Sequence, residues 1–182
     1  MWKRLTPALL AVSMALPVYA GADELGLSAK QAYEQNRASE QVLLVDVRDP
    51  VEIMFVGGTN EVDLNVPYLL VDRTVWDEDK QRFRLYRNPQ FIEQIQAALA
   101  ERGLDNTATI ITMCRSGSER GLPSAEFLQE HGFTNARYVV HGFQGDSIKE
   151  GEQSGFRLVN GWQNEGLPWS PRLSPDKLQR PQ

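Results

Sequence analysis

Two short stretches of this chain contain almost nothing but apolar and β-branched side chains: residues 42–45 (Val-Leu-Leu-Val) and Thr109–Met113 (Thr-Ile-Ile-Thr-Met). A strand with one wet face alternates polar and apolar residues, whereas a strand without alternation needs cover on both faces. Residues 136–140 supply a further strand. Between these runs lie helix signals. Ser28 is placed to cap a helix over 29–37 that turns Ala32 and Tyr33 inward. Pro89 opens another, reaching about 102, with Phe91, Ile92, Ile95, Ala98 and Leu99 on one face and Gly103 at its end. A third runs over about 122–131, with Pro123 in its first turn and Gly132 beyond it. Buried strands alternating with amphipathic helices predict an α/β fold, a central parallel sheet flanked by helices on both faces. Sites in such folds sit at the carboxyl ends of strands, and Asp46 and Cys114 both stand there.

A length of 182 residues suits one domain. The first twenty residues read separately. Lys3 and Arg4 precede an apolar run from Leu5 to Val18, and Val18-Tyr19-Ala20 offers small residues at the two positions a signal peptidase reads. A membrane anchor is the alternative, but that run is short for a bilayer and holds Pro7 and Pro17. The expected layout is a signal peptide over 1–20, a domain over 21–169, and an extended or disordered tail over 170–182. Export, to the periplasm, and a mature form free of membrane follow as expectations. A net charge of −5 argues against nucleic acid as a bulk partner. Cys114 is the sole cysteine, so no internal disulfide can form, and a lone thiol in an oxidising compartment is notable.

Two polar segments interrupt the pattern. Residues 72–88 read as a β-hairpin insertion with an acidic turn at 77–79, and residues 144–160 as a second insertion. Residues 65–71 pass from loop into extended chain, and 161–165 form about one helical turn.

The loop after Thr109–Met113 carries the chemistry. It reads Cys114-Arg115-Ser116-Gly117-Ser118-Glu119-Arg120-Gly121 and ends where a helix begins. Small residues at 116, 117, 118 and 121 let backbone N–H groups turn toward one point and form an anion nest. The helix start adds partial positive charge there, and Arg115 and Arg120 add two cations. Such a setting is expected to lower the thiol pKa below about 8.5 and to stabilise a bound or departing anion. An inert buried cysteine is the bland alternative.

At this loop the chain resembles the rhodanese family, and the resemblance covers nearly the whole mature chain. The early signature is residues 44–50 (Leu-Val-Asp-Val-Arg-Asp-Pro) followed by Glu52, then Asn65-Val66-Pro67. Cys114-Arg115-Ser116-Gly117 is similar to the family's active loop, and Val140-His141-Gly142-Phe143 to its late glycine turn. Gly161-Trp162 through Gly166-Leu167-Pro168 resembles its closing tryptophan segment, displaced by the second insertion. The resemblance implies a thiosulfate sulfurtransferase. Cys114 would be the catalytic nucleophile, forming a persulfide on a small anionic sulfur donor and passing the sulfur to cyanide, a thiol or a partner protein. Arg115 would take the donor's anionic end and the amides of 115–120 would cradle the persulfide. The candidate binding residues are thus Arg115, Ser116, Gly117, Ser118, Glu119 and Arg120, with Asp46 and Arg48 as an ion pair bracing the loop or, alternatively, touching substrate. Beyond the covalent persulfide no cofactor is implied.

One departure opens a second reading. Arg120 follows Cys114 by six positions, the Cys-x5-Arg spacing of rhodanese-fold phosphatases and related arsenate reductases, and Ser118-Glu119-Arg120-Gly121 matches the second half of the phosphatase loop. A third reading is a sulfur-relay or binding module without turnover, docking through the two insertions. Among other residues, Glu119 is either solvated or a filter on approaching anions. His131 suits a helix end, and His141 borders the site. Trp76, Trp162 and Trp169 read as packing residues or lid contacts, with core packing the default. Two histidines and one cysteine far apart give no metal-ligand spacing.

Overall fold

The structure is a computed structural model that describes residues 22–172 and 174–178, so the expected signal peptide lies outside the described residues. The elements run α1 (Ala22–Leu25), β1 (Gly26–Leu27), α2 (Ala29–Ala38), β2 (Val42–Asp46), α3 (Pro50–Val56), β3 (Leu64–Asn65), β4 (Leu69–Asp77), β5 (Arg82–Arg87), α4 (Phe91–Glu101), β6 (Thr109–Met113), α5 (Gly121–Glu130) and β7 (Ala136–Val139). Five strands form one parallel sheet in the order β1-β7-β6-β2-β3, as the unalternating runs require.

Strand periodicity divides the core in two. Leu43, Val45 and Ile110 face α4 and α5, packing with Phe91, Ile95, Leu99 and Leu128. Val42, Leu44, Ile111 and Met113 face the other way, onto Ala29 and Ala32 of α2 and onto Phe143 and Trp162. All five residues of β2 are buried, because each side chain has a helix or a late loop over it. Fully burying one such aliphatic side chain contributes about 1.5–3 kcal/mol, so the sheet is a stiff base for whatever its strand ends carry.

Local chemistry sets the boundaries. Ser28 caps α2 in a capping box with Gln31, each side chain bonding the other's backbone N–H. The sequence reading has no helix after Asp49-Pro50, where it expects only a turn; the structure places α3 there. The Asp49 side chain accepts from the Val51 N–H and Pro50 occupies the first turn. Asp-Pro marks a turn and a capped helix start equally well, so the dipeptide alone does not separate them.

The expected hairpin is present as β4 and β5, antiparallel and outside the main sheet. Its ladder shifts register between Asp72 and Trp76. Trp76 is corrected by the structure: it is about half exposed, edge-on to Phe83, and is no core residue. Trp162 is buried and donates its indole N–H to the Pro168 carbonyl. Trp169 meets Phe143 edge-on but is exposed, so like Trp76 it is no core residue. Residues 161–165 make a single turn, with the Asn164 and Glu165 N–H groups both donating to the Gly161 carbonyl. Described residues beyond 169 bond back to the domain. Ser170 exchanges two backbone hydrogen bonds with Gly58, and the Asn65 N–H donates to the Lys177 carbonyl.

Candidate active site

Two neighbouring strands end together. Asp46 of β2 pairs in register with Met113 of β6, which brings Asp46 beside the residue preceding Cys114. Cys114 then starts a loop that closes at Gly121, the first residue of α5. Its Sγ accepts the Gly117 N–H at 3.2 Å. A Cβ built on Gly121 would stand 3.5 Å from Sγ, so the sulfur rests against the first residue of α5. No side chain caps that helix, which leaves its positive end directed at the thiol. Among the described residues no backbone partner is found for the N–H groups of Arg115, Ser116, Ser118, Glu119 and Arg120. Unpartnered N–H groups clustered in one loop are what an anion nest requires.

The loop interlocks with the late glycine turn, backbone against backbone. Gly117 has φ +84°, and a Cβ there would stand 1.7 Å from the Val140 carbonyl oxygen. At Gly142 (φ +57°) it would stand 2.3 Å from the Cys114 carbonyl oxygen. Only glycine permits both approaches. Across the contact, the Phe143 N–H donates to the Cys114 carbonyl at 2.7 Å and the Gln144 N–H to the Arg115 carbonyl at 2.8 Å.

The thiol is fully buried, which brings the bland alternative into view. Cys114 belongs to the apolar cluster on the α4 and α5 side of the sheet, and its sulfur also meets the Gly117 amide donor and the start of α5. An amide donor and a helix start at the sulfur are features of a reactive cysteine, whereas full burial is shared with inert ones.

Each predicted residue can now be placed. Arg115 is exposed and carries no ion-pair partner among the described residues. Ser116 and Ser118 lie with their hydroxyls 3.5 Å apart. Arg120 is buried and turns away from a purely substrate-facing role: its two terminal nitrogens donate to Glu52 of α3 at 2.6 and 3.1 Å. Burial alone pushes the Arg120 pKa down, but the Glu52 carboxylate, with added charge from Cys114 and Glu119, shifts it up overall. Arg120 Nε has no partner. Glu119 is exposed but not unpaired, because Arg82 of the hairpin holds it at 2.6 Å.

Asp46 and Arg48 form the expected brace. Arg48 is fully buried, grips both Asp46 carboxylate oxygens, and donates to the Gly57 carbonyl. Its guanidinium stacks 4.3 Å from the Phe143 ring centroid, which links the brace to the glycine turn. Asn65 donates to the carbonyls of both Asp46 and Arg48, tying β3 to the same corner. His131 ends α5, with Nδ1 2.8 Å from the Phe127 carbonyl. His141 pairs with Asp146 at 3.3 Å and is half exposed. The residues that sequence reasoning missed are the charged partners: Arg82 goes unnoticed there, and Glu52 figures only as part of a signature. Arg157 belongs with them, because its charge is felt by Cys114 and Arg115.

The arrangement sets a buried sulfur against an amide donor and a helix start, beside a loop that carries two cations. The chain matches the rhodanese-like domain over residues 28–148. Among solved structures, Rv0390 from M. tuberculosis is 30% identical, covers 85% of this chain and 100% of its own, and superposes with a TM-score of 0.57. A polysulfide-sulfur transferase homodimer from Wolinella succinogenes is 21% identical over 80% of this chain and 77% of its own, with a TM-score of 0.47. A rhodanese-related protein from Thermoplasma volcanium is 20% identical over 81% and 98%, also at 0.47. No curated protein matches at a significant level. With strand order, brace, cysteine loop and a family match over two-thirds of its length in agreement, this chain belongs to the rhodanese-like domain family.

Proposed function

We propose that this protein is a sulfurtransferase that carries sulfane sulfur as a persulfide on Cys114. The Cys114 thiolate attacks the outer sulfur of thiosulfate or a similar donor. A sulfur–sulfur bond forms to Cys114, the donor's own sulfur–sulfur bond breaks, and sulfite leaves with its electron pair. A nucleophile such as cyanide or a thiol then takes the outer sulfur, and the thiolate is restored. The observation that carries this reading is the Gly117 N–H donating to Sγ at the start of α5. Fixed donors at that point stabilise negative charge on the sulfur and on the departing group. Exposed Arg115 takes the anionic end of the donor.

The reading includes export, with cleavage after Ala20, and N-terminal sequencing of the secreted protein checks it. For the chemistry, purified protein is incubated with thiosulfate and weighed intact. The expected result is one added sulfur on Cys114, discharged by cyanide as thiocyanate, and none on Cys114→Ser. A parent that never gains sulfur from any sulfane donor sinks the proposal.

One feature favours an oxyanion enzyme: Arg120 at the Cys-x5-Arg position has a buried Nε without a partner. Against it, Glu52 already occupies the terminal nitrogens that would clasp a tetrahedral anion. Phosphate release from an aryl phosphate, abolished in Cys114→Ser and unaccompanied by persulfide, would reverse the preference.

A further inference from the structure

The 144–160 insertion has no part in the chemistry above, yet it is stitched to the Cys114 loop. The Gln144 and Gly145 N–H groups both donate to the Arg115 carbonyl, at 2.8 and 3.2 Å. The Gly145 carbonyl in turn accepts from the Arg157 guanidinium. A single residue, Gly145, therefore bridges the Arg115 backbone to the Arg157 guanidinium across 42 positions of sequence, by subtraction of their numbers. The backbone at 157 is itself pinned. Asn164 donates to the carbonyls of Gln144, Arg157 and Asn160, and Asn160 bonds Asp146 through both ends of its amide.

Charge gives this geometry its meaning. Burial first, and then the charge of Arg115, push the Arg157 pKa down, while Asp146, Cys114 and Glu52 pull it up. The geometry places the Arg157 guanidinium one residue, Gly145, from the backbone of Arg115, which adjoins Cys114. Among the described residues neither Arg115 nor Arg157 has a carboxylate in ion-pair contact. With no carboxylate bonded to it, each guanidinium keeps donors free, and an anion placed between two cations offsets their mutual repulsion. A guanidinium also offers a planar fork of donors suited to the oxygens of a sulfonate-like group.

We propose that Arg157, delivered by the 144–160 insertion, joins Arg115 in a two-guanidinium subsite that holds the oxyanion end of the sulfur donor and the sulfite that departs. This deepens the sulfurtransferase reading and rests on it for the identity of the anion. Arg157 is then a substrate-binding residue and a source of specificity for doubly charged donors over neutral ones.

The test separates the two claims. Sulfite binding is measured by calorimetry on the full mature chain carrying Cys114→Ser, where no persulfide can form. Adding Arg157→Ala should weaken sulfite binding by about ten- to a hundred-fold, the scale of one charged hydrogen-bond donor lost. Arg157→Lys should recover part of it, and thermal melting should be unchanged. Lys149→Ala, exposed in the same segment, removes an equal charge and should leave binding within twofold. In the chain with Cys114 intact, Arg157→Ala should lower kcat/KM for thiosulfate in proportion. Binding unchanged by Arg157→Ala, lowered equally by Lys149→Ala, or undetectable without either substitution overturns the inference. Sulfite binding that depends on Arg157 in a protein that never forms a persulfide would leave the subsite standing while the sulfurtransferase reading failed.

Discussion

On the β2 and α3 side of the Cys114 loop, the charged groups are buried and gripped by two or more bonds. Arg48 closes on both oxygens of Asp46 and on a backbone carbonyl, and Arg120 closes on both oxygens of Glu52. On the side of the hairpin and the 144–160 insertion, three cations, Arg82, Arg157 and Arg115, are exposed or half-buried, and each makes one polar contact or none. Arg82 meets Glu119 with both side chains well solvated, Arg157 has one carbonyl, and Arg115 has no partner. The contrast separates two jobs. Buried, doubly bonded pairs hold geometry, because breaking them strands a charge away from water. Singly held cations at the rim stay available to an anion that arrives from solution.

If that division is right, Asp46→Ala is the most damaging change. It leaves Arg48 buried and unpaired, and the loss should be about 3–5 kcal/mol, read as a lowered urea midpoint. Replacing both residues with apolar side chains of similar volume should restore much of it; a double variant no better than the single would break the comparison. Glu52→Gln comes next. It keeps the shape but removes the charge opposite Arg120, and should cost about 1.5–3 kcal/mol by the same measurement, together with most persulfide formation. Arg82→Ala should cost under about 1 kcal/mol, since the pair it breaks is solvated and screened by salt. A loss as large as that of Asp46→Ala would show that the hairpin is part of the frame.

The smallest effect lies in the hairpin. Hydrogen bonds from Thr74, side chain and backbone, and then from Arg84, hold the Asp72 pKa down at about 2. A carboxyl whose folded pKa lies below its unfolded value stabilises the fold above the unfolded value, and loses that contribution as pH falls through the folded one. Loosening of β4 and β5 should therefore set in below about pH 4 and be complete only near pH 2, checked by NMR titration of Asp72. Thr74→Val should move that midpoint up toward the ordinary carboxylate range. A parent midpoint already there would show that these bonds do not persist in solution.

Much of the architecture was legible along the chain because its signals are local. Residues 42–45 and 109–113 announce doubly covered strands by lacking alternation, Ser28 and Gln31 announce a capped helix, and the small residues after Cys114 announce a nest. Where one local signal had two meanings, reading failed: Asp49-Pro50 began α3, and the aromatic Trp76 lay on an exposed arm. Glu119 looked free because its partner, Arg82, lies far earlier in the chain and on another element.

What the sequence determined by itself was the alternation of elements, the place of Cys114 at a strand end, and the small residues that let its loop close. Periodicity and turn chemistry act over a few neighbouring residues, so they can be read in order. The tertiary structure alone decided which cations are already occupied and which stay open. Arg120 meets a carboxylate 68 positions away, and Arg157 reaches the loop through one peptide of a distant turn. A guanidinium pairs with whichever oxygen the fold brings within about 3 Å, and that choice depends on where strand ends and insertions meet in space.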